Sequence, residues 1–249
     1  MLKDFKTLLV ALDGHILTVQ LNTPEAGNAI SGGVLDELLV VLGEAEDDPN
    51  IRVMVLSGAG DNFCLGGDRS EFSSLLTEDP SGGALRALAH KARRVCHALA
   101  TTETVTIAKL HGGVVGAGVG LAVLCDLRVG ADNCRFRLPE LGLGVPPAWG
   151  GILPRLLDEV GAAKVRELVL TADEFDAAVG RELSILHKVV PSDQLDTTVS
   201  RWTKPLVRRD PAALRTAKAM LNANTRPTNG GLFDADLLTA AVTKKLTRR

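Results

Sequence analysis

Apolar residues are concentrated in short runs along the first half of the chain, with polar and glycine-rich segments between them. Two of these runs flank Asp13-Gly14, a dipeptide that favours the primed turn of a β-hairpin. The runs have the length and composition of β-strands. The predicted strands are LLVAL (residues 8–12), HILTVQL (15–21), RVMVLSG (52–58), VTIAKL (105–110) and LRVGAD (127–132).

Helical spacing appears between these runs. Ser31 stands before residues 34–48, whose apolar positions recur with helical periodicity, so it is predicted to cap a helix there. Residues 81–100 predict a second helix. Since helices alternate with strands that are apolar on both faces, the pattern predicts an α/β core with mostly parallel pairing.

The pattern changes after residue 155, where helical periodicity dominates and LHKVV (186–190) is the only strand-like run. We therefore predict an α/β core over residues 1–190 and a helical C-terminal region over residues 191–249. The helical segments are residues 162–171, 174–183, 191–207, 211–224 and 232–246.

Composition and charge exclude several classes of protein. The chain is 45% hydrophobic and 23% charged, with a net charge of −2, which gives no indication of a nucleic-acid partner. The four cysteines have no metal-type spacing, so reduced thiols and no metal site are expected. No run is long enough for a membrane span or a signal peptide, and a cytoplasmic location is expected.

The segment HGGVVGAGVG (residues 111–120) carries five glycines and is followed directly by the apolar run LAVLCD. Without a Cβ atom, glycine lets backbone N–H groups approach a ligand, and a helix start adds unpaired N–H groups and a positive dipole end. The segment could bind a phosphate or a reaction oxyanion, or could serve only for close packing of a helix on a sheet. A dinucleotide is disfavoured because the GxGxxG spacing fails.

A second glycine loop, NFCLGGD (residues 62–68), also follows an apolar strand. An oxyanion formed during a reaction would need two N–H donors, and two such loops could each supply one. The two loops together therefore favour the oxyanion interpretation over the other two.

These segments and their order resemble the enoyl-CoA hydratase/isomerase, or crotonase, superfamily. The likeness extends from about residue 16 to residue 190 and includes VLSGAGDNFCLGGD, IAKLHGGVVGAGVGLAVLCDLRVGAD and FRLPELGLGVPPAWGG. It implies a spiral of strand–strand–helix units with a helical C-terminal oligomerisation region. It also implies a homotrimer or hexamer that acts on an acyl-CoA or acyl-carrier-protein thioester. Coenzyme A would then be part of the substrate, with no tightly bound cofactor.

The resemblance also assigns roles to individual residues. Gly67 and Ala117 would donate the two backbone N–H groups of an oxyanion hole, and Glu140, in the dipeptide Pro139-Glu140, would be the catalytic acid or base. A further set of residues would line the substrate-binding site: Asn28, Leu65, Gly66, Asp68, Gly116 and Gly120.

One position departs from the hydratases of this family, which use two glutamates around a water molecule. The first of them corresponds here to Gly120. Because one base and an oxyanion hole suffice to move a double bond, the departure favours an enoyl-CoA isomerase with Glu140 as the only base. A hydratase-like, decarboxylating or carbon–carbon bond-forming enzyme remains an alternative, as does an RNA-binding or scaffold protein of the same family.

Overall fold

The structure is a computed structural model that describes residues 4–148, 150–225 and 234–246. Part of the predicted C-terminal helical region, residues 226–233 and 247–249, lies outside the described residues. The strands are β1 (Leu8–Asp13), β2 (Ile16–Leu21), β3 (Val53–Gly58), β4 (Val105–Leu110), β5 (Gly113–Val115), β6 (Leu127–Ala131), β7 (Arg135–Arg137), β8 (Phe175–Asp176) and β9 (Lys188–Val190).

Helices follow most of these strands. In chain order they are α1 (Gly32–Asp47), α2 (Arg69–Glu78), α3 (Gly83–Thr101), α4 (Ala117–Leu124), α5 (Ile152–Val160), α6 (Ala162–Thr171), α7 (Ala177–Glu182), α8 (Leu195–Leu206), α9 (Pro211–Thr225) and α10 (Asp234–Leu246).

The larger sheet has the order β1-β2-β3-β4-β6-β9, and every pair except β1–β2 is parallel. The antiparallel pair is the predicted hairpin, which closes after the pair Asp13 and Ile16 with Gly14 at φ +55°. The predicted α/β core with mostly parallel strands is therefore confirmed. Ser31 caps α1 as predicted, since its hydroxyl accepts a hydrogen bond from the Val34 N–H.

A second, three-stranded sheet in the order β5-β7-β8 has no counterpart in the prediction. Its strands contain only two or three residues, too few for a periodic pattern to form. The predicted helix over residues 174–183 is wrong at its start, because Phe175 and Asp176 form β8. Phe175 stacks on Phe136 of β7, and the Asp176 carboxylate caps α7 by accepting from the Val179 N–H.

The C-terminal helices pack on the α/β core. Lys218 of α9 is buried and forms an ion pair with Asp126, directly after α4. Asn222 donates to the carbonyls of Thr101 and Thr102 at the end of α3. Helix α10 lies along α3, with Leu238 in a small apolar cluster. The division at residue 190 stays a prediction.

The described residues contain no helix that is both long and apolar enough to cross a bilayer. All four cysteines are buried and none forms a disulfide. No group of three or more His, Cys, Asp or Glu side chains in the described ranges is arranged to hold a metal ion.

The ion pair between the buried Lys218 and the partly buried Asp126 leads to a first prediction. The Asp126 carboxylate also accepts from the Thr106 N–H and hydroxyl, so Lys218→Ala would leave it without its countercharge. We expect the free energy of unfolding to fall by about 3 kcal/mol, which denaturant titration would measure.

The matched control is Lys164→Ala. Lys164 pairs with Glu167 at 2.9 Å, but both side chains are 59% exposed. Removing that pair should change the free energy of unfolding by less than about 1 kcal/mol. An equal loss in both variants would contradict the structural role given to Lys218.

Candidate active site

The two glycine loops predicted to act together are in direct contact. The Cys64 N–H donates to the Gly113 carbonyl at 3.1 Å, and the Val115 N–H donates to the Cys64 carbonyl at 2.9 Å. These two bonds form a parallel bridge between Cys64 and Val114. The loop after β3 is therefore attached to the edge of the small sheet, next to the start of α4.

Gly118 allows this contact to continue into the helix. A Cβ atom placed on it would lie 2.5 Å from the Cys64 carbonyl oxygen and 2.9 Å from Cys64 Cβ. Any larger residue would push α4 away from the loop. Close packing thus accounts for Gly118, and it brings the N-terminus of α4 against the other loop.

The backbone N–H groups of Gly67 and Ala117 lie beside this contact, and neither has an acceptor in the part of the chain that the structure describes. Ile30 forms its hydrogen bonds with Gly66 and Asp68, at 2.8 and 3.0 Å, so the N–H of Gly67 points away from it. Ala117 is the first residue of α4, where N–H groups have no partner within the helix. Both donors predicted for an oxyanion hole are therefore available.

Helix α4 adds an electrostatic contribution. All eight of its residues are buried, and no side chain caps its N-terminus. The positive end of the helix dipole therefore faces the position where Ala117 could donate. Screening by solvent is weak at a buried site, so a negative charge there would be stabilised.

Strand pairing places Glu140 at the same end of α4. Strands β5 and β7 pair in parallel, with Val115 opposite Arg137, so the segments that follow them leave the sheet at the same edge. The Glu140 carboxylate then lies beside Gly116, at φ +51°, where a Cβ atom would be 3.1 Å from Glu140 Oε1. The predicted base is thus adjacent to the predicted donor Ala117.

Glu140 is only 4% exposed. Its Oε2 atom has no hydrogen-bond partner among the described residues. Burial raises the pKa of this carboxyl, and its own backbone N–H opposes that shift. A carboxylate with a raised pKa is a stronger base than an exposed one, and it can also return a proton.

Gly120 lies one turn further along α4 and faces Ile152, the first residue of α5. A Cβ atom on Gly120 would overlap Ile152 Cδ1 and would lie 2.8 Å from Cγ1. Gly120 corresponds to the first glutamate of the hydratases, and the space that this glutamate would need is filled by an apolar side chain. Nothing in the local sequence around Gly120 indicates this contact. The only local signal is Gly150-Gly151 before Ile152, which marks a tight turn.

The other predicted site residues organise the first loop. Asn28, at φ +54°, is buried, with its side chain bonded to the Thr23 N–H and to the carbonyls of Ala59 and Asn62. These bonds tie the turn after β2 to the loop after β3. Their use within the protein indicates that Asn28 positions the loop, and contact with a substrate stays a prediction.

Leu65, Gly66 and Asp68 complete that loop. Leu65 is 46% exposed, and Gly66, at φ +104°, leaves just 3.2 Å between a Cβ position and the Val115 carbonyl oxygen. Asp68 caps α2, and the hydrogen bond from the Ser70 hydroxyl lowers the pKa of its carboxyl. Their contact with a substrate also stays a prediction.

This geometry suits one class of chemistry. The two N–H donors can stabilise a carbonyl oxygen that becomes negative, and Glu140 can take a proton from the adjacent carbon and return it. The helix dipole acts on the same oxygen. The site thus favours reactions that pass through an enolate.

Comparison with known proteins agrees with this chemistry. A family model described as enoyl-CoA hydratase/isomerase matches residues 12–245. A short-chain-enoyl-CoA hydratase of Clostridium acetobutylicum is 31% identical over 220 residues, covering 88% of this chain and 82% of that protein. A peroxisomal Delta(3,5)-Delta(2,4)-dienoyl-CoA isomerase of Arabidopsis thaliana is 30% identical over 231 residues, covering 88% and 83% respectively.

A solved structure from Thermobifida fusca, in complex with acetoacetyl-CoA, is also similar. It superimposes with a TM-score of 0.80 at 27% identity, and the match covers 98% of this chain and 96% of that one. The predicted crotonase-like α/β fold is thereby confirmed.

The close contact at Gly118 leads to a second prediction. Gly118→Ala would force its Cβ against the Cys64 carbonyl, so we expect a loss of about 1–3 kcal/mol in the free energy of unfolding. Gly43→Ala in α1 is the control, because Gly43 is exposed and a Cβ there meets nothing within 4 Å. That variant should be stabilised by up to about 1 kcal/mol in the same denaturant titration. Equal stability of both variants would contradict the packing described.

Burial of Glu140 leads to a third prediction. Its pKa is higher in the folded than in the unfolded chain, so ionising it removes stability as the pH rises through the folded pKa. Glu140→Gln cannot ionise, and its melting temperature should exceed that of the wild type near pH 8, with a difference that shrinks toward about pH 4.

Calorimetry across this pH range would measure the difference. Glu182→Gln, at an exposed carboxylate in α7, should show no such pH-dependent gain. If the Glu140→Gln difference were constant with pH, the carboxylate would not be desolvated as described.

Proposed function

The chain belongs to the enoyl-CoA hydratase/isomerase family, and we propose that it moves a double bond in an acyl thioester from the 3,4 to the 2,3 position. One observation carries this proposal. The buried carboxylate of Glu140 lies against Gly116, next to the unpaired N–H group of Ala117, and the loop that carries the unpaired Gly67 N–H packs on the same segment. An isoleucine occupies the space beside Gly120, where the other acid of a hydratase would stand.

The reaction begins when ionised Glu140 removes a proton from C2 of the 3-enoyl thioester. The electron pair of that C–H bond spreads over the double bond and the thioester carbonyl, which gives a dienolate. The N–H groups of Gly67 and Ala117 bind the negative oxygen, and each such donor contributes about 10²–10³-fold in rate. Protonated Glu140 then delivers the proton to C4, so the 2-enoyl thioester forms and the base is regenerated.

The environment of Glu140 suits both proton transfers. Desolvation raises its pKa, which makes the ionised form a stronger base, and the neutral form that results carries the proton that must be returned. No second group is needed, because the proton that leaves C2 is the one that reaches C4.

A coenzyme A thioester is the proposed substrate. The similar structure from Thermobifida fusca is in complex with acetoacetyl-CoA. Its thioester carbonyl is the kind of group that the N–H groups of Gly67 and Ala117 would bind. A carrier-protein thioester presents the same carbonyl. The type of carrier, the homotrimeric or hexameric assembly and the cytoplasmic location stay predictions.

Hydration of a 2-enoyl thioester is the second candidate, because the Clostridium acetobutylicum relative is named as a hydratase. Water addition requires a held and deprotonated water molecule in addition to a proton delivered to carbon. Glu140 alone would have to serve both steps. Decarboxylation and carbon–carbon bond formation use the same oxyanion hole and are further alternatives.

A fourth prediction separates these candidates. Purified protein should convert 3-enoyl-CoA into 2-enoyl-CoA, and Glu140→Gln should reduce kcat by about 10²–10⁴-fold. Binding of the thioester should persist, because the variant keeps both backbone donors. Products from 3-enoyl-CoA, 2-enoyl-CoA and malonyl-CoA would be identified by mass spectrometry.

Glu182→Gln is the matched control and should retain the wild-type rate. Hydration of 2-enoyl-CoA as the dominant wild-type reaction would favour the second candidate. Full isomerase activity in Glu140→Gln would remove this carboxylate from the mechanism.

A further inference from the structure

Glu140 and Ile152 contact adjacent turns of α4. The Gly120 N–H donates to the Gly116 carbonyl at 3.1 Å, so these two glycines are separated by one helical turn. The Glu140 carboxylate lies against Gly116, and the Ile152 side chain lies against Gly120. Next to the catalytic carboxylate, therefore, the helix is covered by hydrocarbon.

The backbone before Ile152 holds this side chain in place. Gly150 and Gly151 have φ values of +53° and +94°, and α5 begins immediately after them. A Cβ atom on Gly150 would lie 2.9 Å from Cys96 Cβ, so this turn packs closely on α3. Ile152 is only 6% exposed, so its side chain has little room to move away from Gly120.

An apolar surface at this point affects which co-reactant can enter. An ordered water molecule needs two or more polar partners, and Ile152 and Gly120 supply no polar side chain. Oε2 of Glu140 has no partner among the described residues, so one hydrogen bond to water would be available there. Once the thioester carbonyl accepts from the N–H groups of Gly67 and Ala117, that carboxylate contact alone is too few to hold a water molecule in a reactive position.

We infer that Ile152 is a specificity-determining residue, a role that rests on the function proposed above. Its side chain excludes water from the α4 side of the site, beside Glu140. The enolate can then be reprotonated only by Glu140. Water addition is suppressed, and the double bond shifts instead.

The test uses two variants of equal shape. Ile152→Val removes only Cδ1, the atom over Gly120, whereas Ile152→Thr has the shape of valine and adds a hydroxyl that can bind water. Rates of isomerisation of 3-enoyl-CoA and hydration of 2-enoyl-CoA are measured for each, with ¹⁸O-water to identify added oxygen by mass spectrometry. Leu156→Ala, one turn further along α5 and also buried, controls for general loosening of that helix.

We expect Ile152→Thr to raise the ratio of hydration to isomerisation by about tenfold or more over Ile152→Val, since one acid–base contact accounts for at least that much. Leu156→Ala should leave the ratio at its wild-type value. In Ile152→Thr, the pH midpoint of isomerisation should also move to lower pH, because a polar neighbour favours the ionised form of Glu140.

The possible failures are distinguishable. A wild-type chain that does not isomerise 3-enoyl-CoA removes the proposed function, and the role of Ile152 falls with it. A wild-type chain that isomerises, combined with equal ratios in the Thr and Val variants, removes the role of Ile152 alone. A changed ratio in Leu156→Ala equal to that in Ile152→Thr would also overturn it.

Discussion

The contact between Cys64 and the segment leading into α4 is the constraint on which the site depends. Two hydrogen bonds and the missing Cβ of Gly118 hold the loop after β3 against that helix. Within this contact, Gly67 and Ala117 keep their N–H groups unpaired. Polar groups away from solvent are usually paired in a folded protein, so the unpaired N–H of Ala117, which is buried, indicates a place for an external acceptor.

Both ends of α4 are fixed, which keeps those donors in position. At its C-terminal end, Arg128 donates to the carbonyls of Val123 and Cys125 and pairs with Glu159 of α5 at 2.5 Å. Asp126 is held by Lys218 of α9. A cation at the C-terminal end of a helix offsets the negative end of its dipole, so charge and packing together stabilise this short, wholly buried helix.

Few polar groups surround the carboxylate of the site. Glu140 is desolvated and lies against Gly116, next to the donor Ala117, and Ile152 fills the space beside Gly120. A reaction that only moves a proton between two carbons of one substrate matches this set of groups. A reaction that consumes water needs polar groups that this surface of α4 does not provide.

The sequence by itself determined the features that depend on residues close together in the chain. The hairpin at Asp13-Gly14, the cap at Ser31 and the parallel α/β core all follow from local periodicity and turn chemistry. The two glycine loops and Glu140 were identifiable because the order of their motifs matches a known family. Gly120 also showed, from the sequence alone, that one acid is absent.

Only the tertiary structure decided what replaces that acid. The contact of Ile152 with Gly120, the bonds of Asn28 within the loop and the small sheet that places Glu140 beside Gly116 all join residues distant in sequence. Such contacts depend on how whole helices and strands pack against each other. A periodic pattern indicates which face of an element is buried, but it does not indicate which residue of another element lies against that face.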